Sequence, residues 1–271
     1  MALPVVTFLT DFGAGSGYPA QMKGEVLRRL PGATLVDLSH EVPPFDLLAG
    51  ALLLEACVPR FPASAVHVAV VDPGVGTARL PLCVVDGEGR RLVGPDNGLL
   101  SPFLGEGSAA IRLSDPELVP RDPSPTFHGR DLFAPVAAWL AGGGDPGRLG
   151  PRVADPVRLP GLAAHGTAGG VEGTCLVADP FGNLITSIRR ADLGDGTVAA
   201  VTVAGRPARL VVTFGEGRPG ELIALWGSGG RLEIAVREGS AAREAGLARG
   251  APVRVATRSG PGPSPSGPAA P

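Results

Sequence analysis

Hydrophobic positions in the first half of the chain form short β-branched runs that alternate with longer helical patterns. The runs predict strands, the longer patterns predict helices, and Pro or Gly ends most of them. The predicted elements are strands over Val5–Leu9, Thr34–Leu38 and Val66–Val71, helices over Ala20–Leu30, Asp46–Val58 and Asp131–Ala141, and an edge hairpin of Leu82–Asp86 and Arg91–Val93 turned at Gly87. This alternation predicts an α/β domain with a mostly parallel sheet over residues 1–160.

The pattern changes from about Asp145. Pro and Gly crowd the stretch up to Gly170, which predicts a linker between domains. The later strand-like runs have turns but no long helix between them, and they lie at Gly173–Val177, Leu184–Ile188, Val198–Val203, Ala208–Thr213, Glu221–Trp226 and Arg231–Val236. They predict a small antiparallel β-barrel-like domain over residues 168–258. Residues 259–271, almost all Ser, Gly, Pro and Ala, are expected to form a flexible tail.

Composition narrows the class of protein. The 271 residues are 44% hydrophobic, enough to form the cores of two domains of roughly 100–200 residues each. A net charge of -2 without a Lys/Arg stripe argues against nucleic acid as a partner. No apolar stretch reaches the roughly 20 residues of a membrane span, and the first ten residues lack a basic targeting region. We therefore expect a cytoplasmic protein with no membrane association.

The cysteines and histidines give no sign of a metal site. Cys57, Cys83 and Cys175 are odd in number and lack a CxxC spacing, so buried thiols are expected rather than disulfides or zinc ligands. The chain has no HExxH, His-x-His or Walker motif. Neither a metal nor another cofactor is expected.

Polar, Gly-rich clusters follow three predicted strands. They are Thr10-Asp11-Phe12-Gly13, Asp72-Pro73-Gly74-Val75-Gly76 and Gly94-Pro95-Asp96-Asn97-Gly98. Each alone is equally well explained as an Asx-type turn that closes a strand. Functional residues of open α/β sheets gather at the carboxyl ends of the strands, so three such clusters together predict a site at that edge.

Among the four histidines, His128 has the placement most typical of an active-site group. It lies in a loop before Asp131, the expected N-cap of the third helix, with Gly129 directly behind it. The other three have ordinary explanations: His67 as a core residue, His165 as part of the linker and His40 as part of a surface turn.

Taken in order, these motifs resemble those of the S-adenosyl-L-methionine hydrolase (adenosine-forming) family, which also contains the S-adenosyl-methionine-dependent fluorinases and chlorinases. The resemblance runs from Phe8 to about Val255. The motifs that carry it are Leu9-Thr10-Asp11-Phe12-Gly13, Met22-Lys23-Gly24, Asp37-Leu38-Ser39-His40, Val71-Asp72-Pro73-Gly74-Val75-Gly76-Thr77 with Arg79, Gly94-Pro95-Asp96-Asn97-Gly98, Thr126-Phe127-His128-Gly129-Arg130-Asp131, Asp179-Pro180-Phe181-Gly182-Asn183-Leu184-Ile185-Thr186 and Gly227-Ser228-Gly229-Gly230-Arg231-Leu232-Glu233-Ile234-Ala235.

The resemblance implies hydrolysis of S-adenosyl-L-methionine to adenosine and methionine. In the hydrolases an Asp-Arg-His set prepares water for attack, and the matching residues are Asp72, Arg79 and His128. His128 would accept or relay the proton, although the choice between His128 and Asp72 stays open. The resemblance further implies a homotrimer in which the substrate lies between the N-terminal domain of one subunit and the C-terminal domain of its neighbour.

The same resemblance implies a set of substrate-binding residues. Asp11 would bind the ribose hydroxyls, and Phe45 would lie near the ribose and the sulfonium. In the second half Phe214 would stack on adenine, Asp179 would pair with the methionine ammonium, Ser228 would bind its carboxylate, and Asn183 would bind adenine or hold its loop. Core or turn roles explain Phe45, Phe214 and Ser228 equally well.

Two alternatives accompany the hydrolase interpretation. A halogenase must desolvate a halide away from a fixed carboxylate, and Asp72 argues against one. A non-catalytic adenosine-binding protein would have no need of Asp72, Arg79 and His128. The chain departs from the family at Ser16, where an Asp is common, and this change removes one partner for the substrate.

Overall fold

The computed structural model describes residues 3–120 and 122–258, and the predicted tail over 259–271 lies outside this range. Contacts divide the chain into a first unit up to Leu159 and a second unit from Pro160 onward. The first unit has strands β1 Val5–Thr10, β2 Thr34–Ser39, β3 Val66–Val70, β4 Pro81–Val85, β5 Arg91–Pro95 and β6 Ala109–Arg112, and helices α1 Tyr18–Arg29, α2 Leu47–Cys57 and α3 Ala134–Ala141, the last preceded by a π-helical turn at Gly129–Phe133.

The first unit is built on a six-stranded sheet of order β2-β1-β3-β5-β4-β6. The pairs β1–β2, β1–β3 and β3–β5 are parallel, whereas β4 runs antiparallel to both β5 and β6. The predicted mostly parallel α/β sheet is thus confirmed. The predicted edge position of the β4–β5 hairpin is wrong, because β6, a short strand that the sequence pattern did not predict, lies outside β4.

Apolar residues cover both faces of this sheet, as is usual for parallel strands. Val6 and Phe8 of β1 pack with α1 and α3, whereas Leu9 packs on the other face in the cluster that includes Leu54 of α2. The Pro/Gly-rich segment after α3, predicted as a linker between domains, begins packed against the first unit. Leu149 is fully buried in the core, and the Arg112 amide donates to the Pro151 carbonyl, which joins this segment to β6.

The second unit is a closed barrel. Its elements are β7 His165–Thr167, β8 Gly170–Ala178, β9 Leu184–Arg189, β10 Thr197–Val203, β11 Arg206–Leu210, β12 Leu222–Trp226, β13 Arg231–Val236, the short helix α4 Ala241–Glu244 and β14 Pro252–Arg258. Seven strands close the barrel in the order β14-β10-β11-β12-β13-β9-β8, and β8 then pairs with β14. The predicted barrel is confirmed, with β7 added beside β8.

One pair in the barrel, β11–β12, is parallel rather than antiparallel. Parallel neighbours need a crossover connection, since a tight turn can join only antiparallel strands. The crossover runs from Val211 to Glu221 and contains a short helical turn at Phe214–Glu216. Phe214, which the resemblance links to adenine, therefore lies on a connection outside the barrel wall.

Candidate active site

The three polar clusters follow adjacent strands of the first sheet. β1 lies beside β3 with Thr10 opposite Val70, and β3 lies beside β5 with Val68 opposite Val93. The strands are parallel, so their carboxyl ends meet at one edge. Asp11, Asp72 and Asp96 accordingly come at neighbouring strand ends, as the sequence predicted.

Asp72, Arg79 and His128 form one hydrogen-bonded group. Arg79 Nε lies 3.1 Å from each carboxylate oxygen of Asp72, and Arg79 Nη2 also donates to Asp72 Oδ2. The same Nη2 lies 2.7 Å from His128 Nδ1. The side chains of Asp72 and Arg79 are only 4% and 9% exposed, so this is a buried ion pair with a histidine attached. The predicted set is thus brought together in the fold.

The contact with Arg79 fixes the tautomer of His128. A guanidinium group can only donate hydrogen bonds, so Nδ1 of His128 must accept. Burial, followed by the charge of Arg79, lowers the pKa of His128 below its ordinary value, and the ring is neutral at pH 7. A neutral ring that accepts at Nδ1 carries its proton on Nε2. His128 therefore offers an N–H donor at its free end.

Arg79 also has a donor nitrogen, Nη1, that its bonds to Asp72 and His128 do not use. Its Nη1 is buried and makes no hydrogen bond within residues 3–120 and 122–258. Its Cζ lies 5.5 Å from the centre of the Phe133 ring, which supports the guanidinium from one side. Buried donors normally have partners, so this free N–H indicates where a ligand oxygen would bind.

A tight turn brings Arg79 to His128. The Thr77 hydroxyl donates to the Gly74 carbonyl at 2.7 Å and closes the turn after Asp72. Gly76 has a φ of 76°, and a Cβ atom there would lie 2.6 Å from the Pro125 carbonyl oxygen. Only glycine fits this position, because the turn packs directly on the loop that carries His128.

Asn97, to which sequence reasoning gave no role, braces the strand end before Asp72. Its Nδ2 donates to the Val71 carbonyl at 2.9 Å, and its Oδ1 accepts from the Leu99 amide at 3.2 Å. Asn97 thereby ties the end of β3 to the end of β5. The signal available in the sequence was an Asn inside a polar cluster at a neighbouring strand end.

Asp11 and Phe45 are also brought together. The Phe45 amide donates to Asp11 Oδ2 at 2.9 Å. Phe45 has a φ of 65°, which is unusual for a bulky residue, and it is 68% exposed. A strained, exposed aromatic side chain is more typical of a ligand contact than of a core residue. The core alternative for Phe45 is therefore wrong.

In the second unit, the four predicted binding residues line one cavity of about 1020 Å³: Asp179, Asn183, Phe214 and Ser228. Asp179 Oδ1 accepts from the amides of Phe181 and Asn183 at 2.9 and 2.8 Å, and its Oδ2 accepts from Asn183 Nδ2 at 2.9 Å. Asn183 thus holds its loop. Phe181, not singled out from sequence, also lines the cavity and is 78% exposed.

Two predictions near the site are wrong. His40 was predicted in an exposed turn, but it is only 6% exposed. Its Nδ1 lies 2.9 Å from Thr10 Oγ1, and its Nε2 lies 3.0 Å from Asp37 Oδ1. His40 therefore connects the ends of β1 and β2. Asp131 is not an N-cap, since the helical turns begin two residues earlier at Gly129. Its carboxylate accepts from the Ser124 amide at 3.0 Å instead.

The remaining sequence predictions can be located as well. His67 is fully buried, as predicted, and burial lowers its pKa to about 4. His165 lies in β7 and is exposed. Ser16 donates to the Gly13 carbonyl at 3.0 Å and stays within its own turn. None of the helices over 3–120 and 122–258 has the length and apolar character to cross a membrane, and no group of three metal-ligating side chains occurs in those residues.

Comparison with known proteins assigns the family. The N-terminal domain model of the SAM hydroxide adenosyltransferases matches residues 6–150, and the C-terminal domain model matches residues 173–254. An (R)-S-adenosyl-L-methionine hydrolase from Thermus thermophilus is 44% identical over 92% of this chain and 98% of its own length. A fluorinase from Nocardia brasiliensis is 31% identical over 74% of this chain and 78% of its own length.

A solved structure supports the same relationship. An uncharacterized conserved protein from Thermotoga maritima superposes with a TM-score of 0.82 at 34% identity, over 92% of this chain and 99% of its own. The two domain models together match most of the chain in the predicted order. The chain belongs to the SAM hydroxide adenosyltransferase family.

Proposed function

We propose that the protein hydrolyses S-adenosyl-L-methionine to adenosine and L-methionine by attack of water at C5′. Relatives with 42–44% identity over more than nine tenths of the chain are named (R)-S-adenosyl-L-methionine hydrolases. The observation that carries the proposal is the buried Asp72–Arg79–His128 group, in which Arg79 Nη1 is a buried donor with no partner in the described part of the chain.

The chemistry needs an activated nucleophile more than an acid. The sulfonium leaves as a neutral thioether, whereas water is a poor nucleophile at neutral pH. Arg79 Nη1 would donate to the water oxygen and favour its hydroxide form, and the Nε2–H of His128 offers a separate donor on the side of the ring away from Arg79. Asp72 orients Arg79 and offsets its charge. As the C5′–O bond forms and the C5′–sulfur bond breaks, the proton that the water loses goes to Asp72 or to Nδ1 of His128, and Nδ1 can accept it only by giving up its bond to Arg79.

The substrate would contact both units. Asp11 accepts the bond from the Phe45 amide at Oδ2, so its Oδ1 would bind the ribose hydroxyls. Phe45 would lie near the ribose and the sulfonium. In the second-unit cavity, Phe214 would stack on adenine and Ser228 would bind the methionine carboxylate. Asp179 would contribute negative charge toward the methionine ammonium while its loop is held by Asn183.

Turnover in the presence and absence of halide tests this function. Purified protein incubated with S-adenosyl-L-methionine should release adenosine at a rate independent of chloride or fluoride. Each sulfonium epimer should be assayed separately, since the named relatives act on the (R) form. A halide-dependent 5′-halogenated product would favour the halogenase alternative, and binding without turnover would favour the non-catalytic one.

Asp11→Ala should raise the KM for substrate about tenfold to a hundredfold, since charge-assisted hydrogen bonds to the ribose would be lost. The chemical step should change less, because Asp11 does not contact the attacking water. Steady-state kinetics measures both parameters, with the exposed Asp195→Ala as the matched control. An unchanged KM would remove Asp11 from the binding site.

We further propose a homotrimer in which each site combines the first unit of one subunit with the second unit of its neighbour. The motivation is that candidate residues divide between the units, Asp72 and His128 against Phe214 and Ser228. Light scattering should give the mass of three chains. Mixing inactive His128→Ala and Phe214→Ala proteins under exchange conditions should restore activity, because mixed trimers contain intact sites. An active monomer, or no restoration after proven exchange, would contradict the proposal.

Activity should be independent of metal ions, because the proposed mechanism gives every step to side chains and water. Extensive chelation followed by desalting should leave the rate of adenosine release unchanged. Loss of activity that a single divalent ion restores would overturn this mechanism.

The three thiols are unpaired, in keeping with the proposed cytoplasmic location.

A further inference from the structure

The loops that follow β1 and β2 are joined by hydrogen bonds at the carboxyl edge of the first sheet. The Gly13 amide donates to the His40 carbonyl at 2.8 Å. Farther along both loops, the Ala14 amide donates to Oε1 of Glu41 at 2.6 Å. Asp11, the proposed ribose ligand, lies in the first of these loops, so its position depends on the second.

A shift in strand register places His40 beside the last residue of β1. The pairing of β1 with β2 shifts by one residue between Phe8 and Leu9. Such irregularities re-aim the side chains that follow them and are over-represented next to active sites. Thr10 is fully buried, and its Oγ1 lies 2.9 Å from Nδ1 of the buried His40. A buried histidine thus contacts the residue directly before Asp11.

The Thr10 hydroxyl connects His40 to the backbone on both sides of Asp11. Its oxygen accepts from the Phe12 amide at 3.2 Å, which leaves the hydroxyl proton for Nδ1 of His40. A histidine ring that accepts at Nδ1 carries its proton at Nε2, and this nitrogen lies 3.0 Å from Asp37 Oδ1. Because Thr10 and Phe12 flank Asp11, the contact with His40 fixes the turn from which the Asp11 carboxylate extends.

The direction of the Asp11 carboxylate matters because one of its two oxygens is already in use. Oδ2 accepts from the Phe45 amide, so the ribose hydroxyls would have to be bound at Oδ1. Hydrogen bonds weaken steeply when their angle falls below about 120°. A small rotation of the turn around Asp11 would therefore weaken its bonds to the ribose while the carboxylate itself stays in place.

We propose that His40 is a positioning residue that directs the Asp11 carboxylate toward the ribose hydroxyls through the Thr10 hydroxyl, with Asp37 holding the His40 ring. This inference rests on the proposed function, in which Asp11 binds the ribose. His40 is buried and acts through its neighbours, so it determines selectivity for the ribose hydroxyls and leaves the chemical step to Asp72, Arg79 and His128.

His40→Ala should raise the KM for S-adenosyl-L-methionine about threefold to tenfold with little change in kcat, since a misdirected Asp11 loses about the strength of one hydrogen bond. The inhibition constant of a 2′,3′-dideoxy analogue of the substrate should not change, because this analogue lacks both ribose hydroxyls. His40→Asn, whose amide oxygen can take the place of Nδ1, should recover most of the parental KM. In an Asp11→Ala background, His40→Ala should raise the KM no further, because His40 acts through Asp11.

His67→Ala is the matched control. His67 is fully buried, and its Nδ1 makes the same contact with a threonine of β1, lying 2.8 Å from Thr7 Oγ1. This variant should lower the melting temperature without changing the KM or the inhibition constant of the analogue. If His40→Ala fails to fold, Thr10→Val, which removes the hydroxyl from a side chain of similar shape, should show the same selective rise in KM.

Three results would overturn the inference: a parallel rise for substrate and analogue, an unchanged KM in a folded variant, or additive effects of Asp11→Ala and His40→Ala. Each of them leaves adenosine release by the parent, and with it the proposed function, intact. If the parent releases no adenosine, the proposed function itself has failed and this inference with it.

Discussion

Replacement of Asp72 or His128 by alanine should reduce kcat by about 10²–10⁴-fold while the substrate dissociation constant changes little. Both side chains act on the water through the group centred on Arg79, and neither is proposed to contact the adenosyl moiety. The double variant should lose little more than the worse single variant, since the residues act as a unit. Such non-additivity distinguishes a shared water site from two independent contributions.

Single-turnover rates and calorimetric titration measure these two quantities separately. His165→Ala, which removes an exposed histidine of the second unit, should retain parental turnover. Because the pKa of His128 is lowered, its ring stays neutral as the pH falls to the ordinary pKa of histidine. We therefore expect kcat to decline only at pH values below that pKa. Near-parental turnover in either alanine variant would remove that residue from the mechanism.

Arg79→Met should abolish detectable turnover and lower the free energy of unfolding by about 3–5 kcal/mol. The loss of stability follows because Asp72, only 4% exposed, would keep a buried charge without its ion-pair partner. Adding Asp72→Leu in the same chain should recover most of the stability, because an apolar pair can replace a buried ion pair. It should recover none of the activity. The double variant would thus show that an apolar pair can replace the contribution of these two residues to stability but not their contribution to catalysis.

Chemical denaturation at a fixed protein concentration measures the stability, and adenosine release measures the activity. The exposed pair Arg209–Glu221 supplies the control, since Arg209→Met should lower the free energy of unfolding far less than Arg79→Met does. If the Arg79→Met variant is as stable as the parent, the buried Asp72 carboxylate does not need Arg79 as an ion-pair partner for the protein to keep its stability. Activity in the double variant would exclude both groups from water activation.

Much of the fold could be predicted because its strands are apolar runs bounded by turns. β1 and β3 are buried on both faces, which favours runs rich in β-branched and other apolar residues, and the barrel strands follow one another without a long helix between them. β6 was missed because Ala109–Arg112 is short and contains only one β-branched residue. The parallel β11–β12 pair was missed because pairing depends on the path of the crossover, which local pattern does not encode.

The catalytic group could be predicted because its residues lie at strand ends and before a helix, where unusual polar clusters stand out. Residues that hold the strand ends in place, without a proposed contact with the substrate, were harder to predict. Asn97 and His40 look like ordinary turn residues until their partners across the sheet are known.

Hydrolysis in water enriched in ¹⁸O tests the central claim most directly. If water held by Arg79 and His128 attacks C5′, mass spectrometry should find one ¹⁸O atom in the 5′-hydroxyl of the released adenosine and none in methionine. Adenosine without the label, or release of methylthioadenosine in place of adenosine and methionine, would show that the C5′–sulfur bond is not the bond that water breaks.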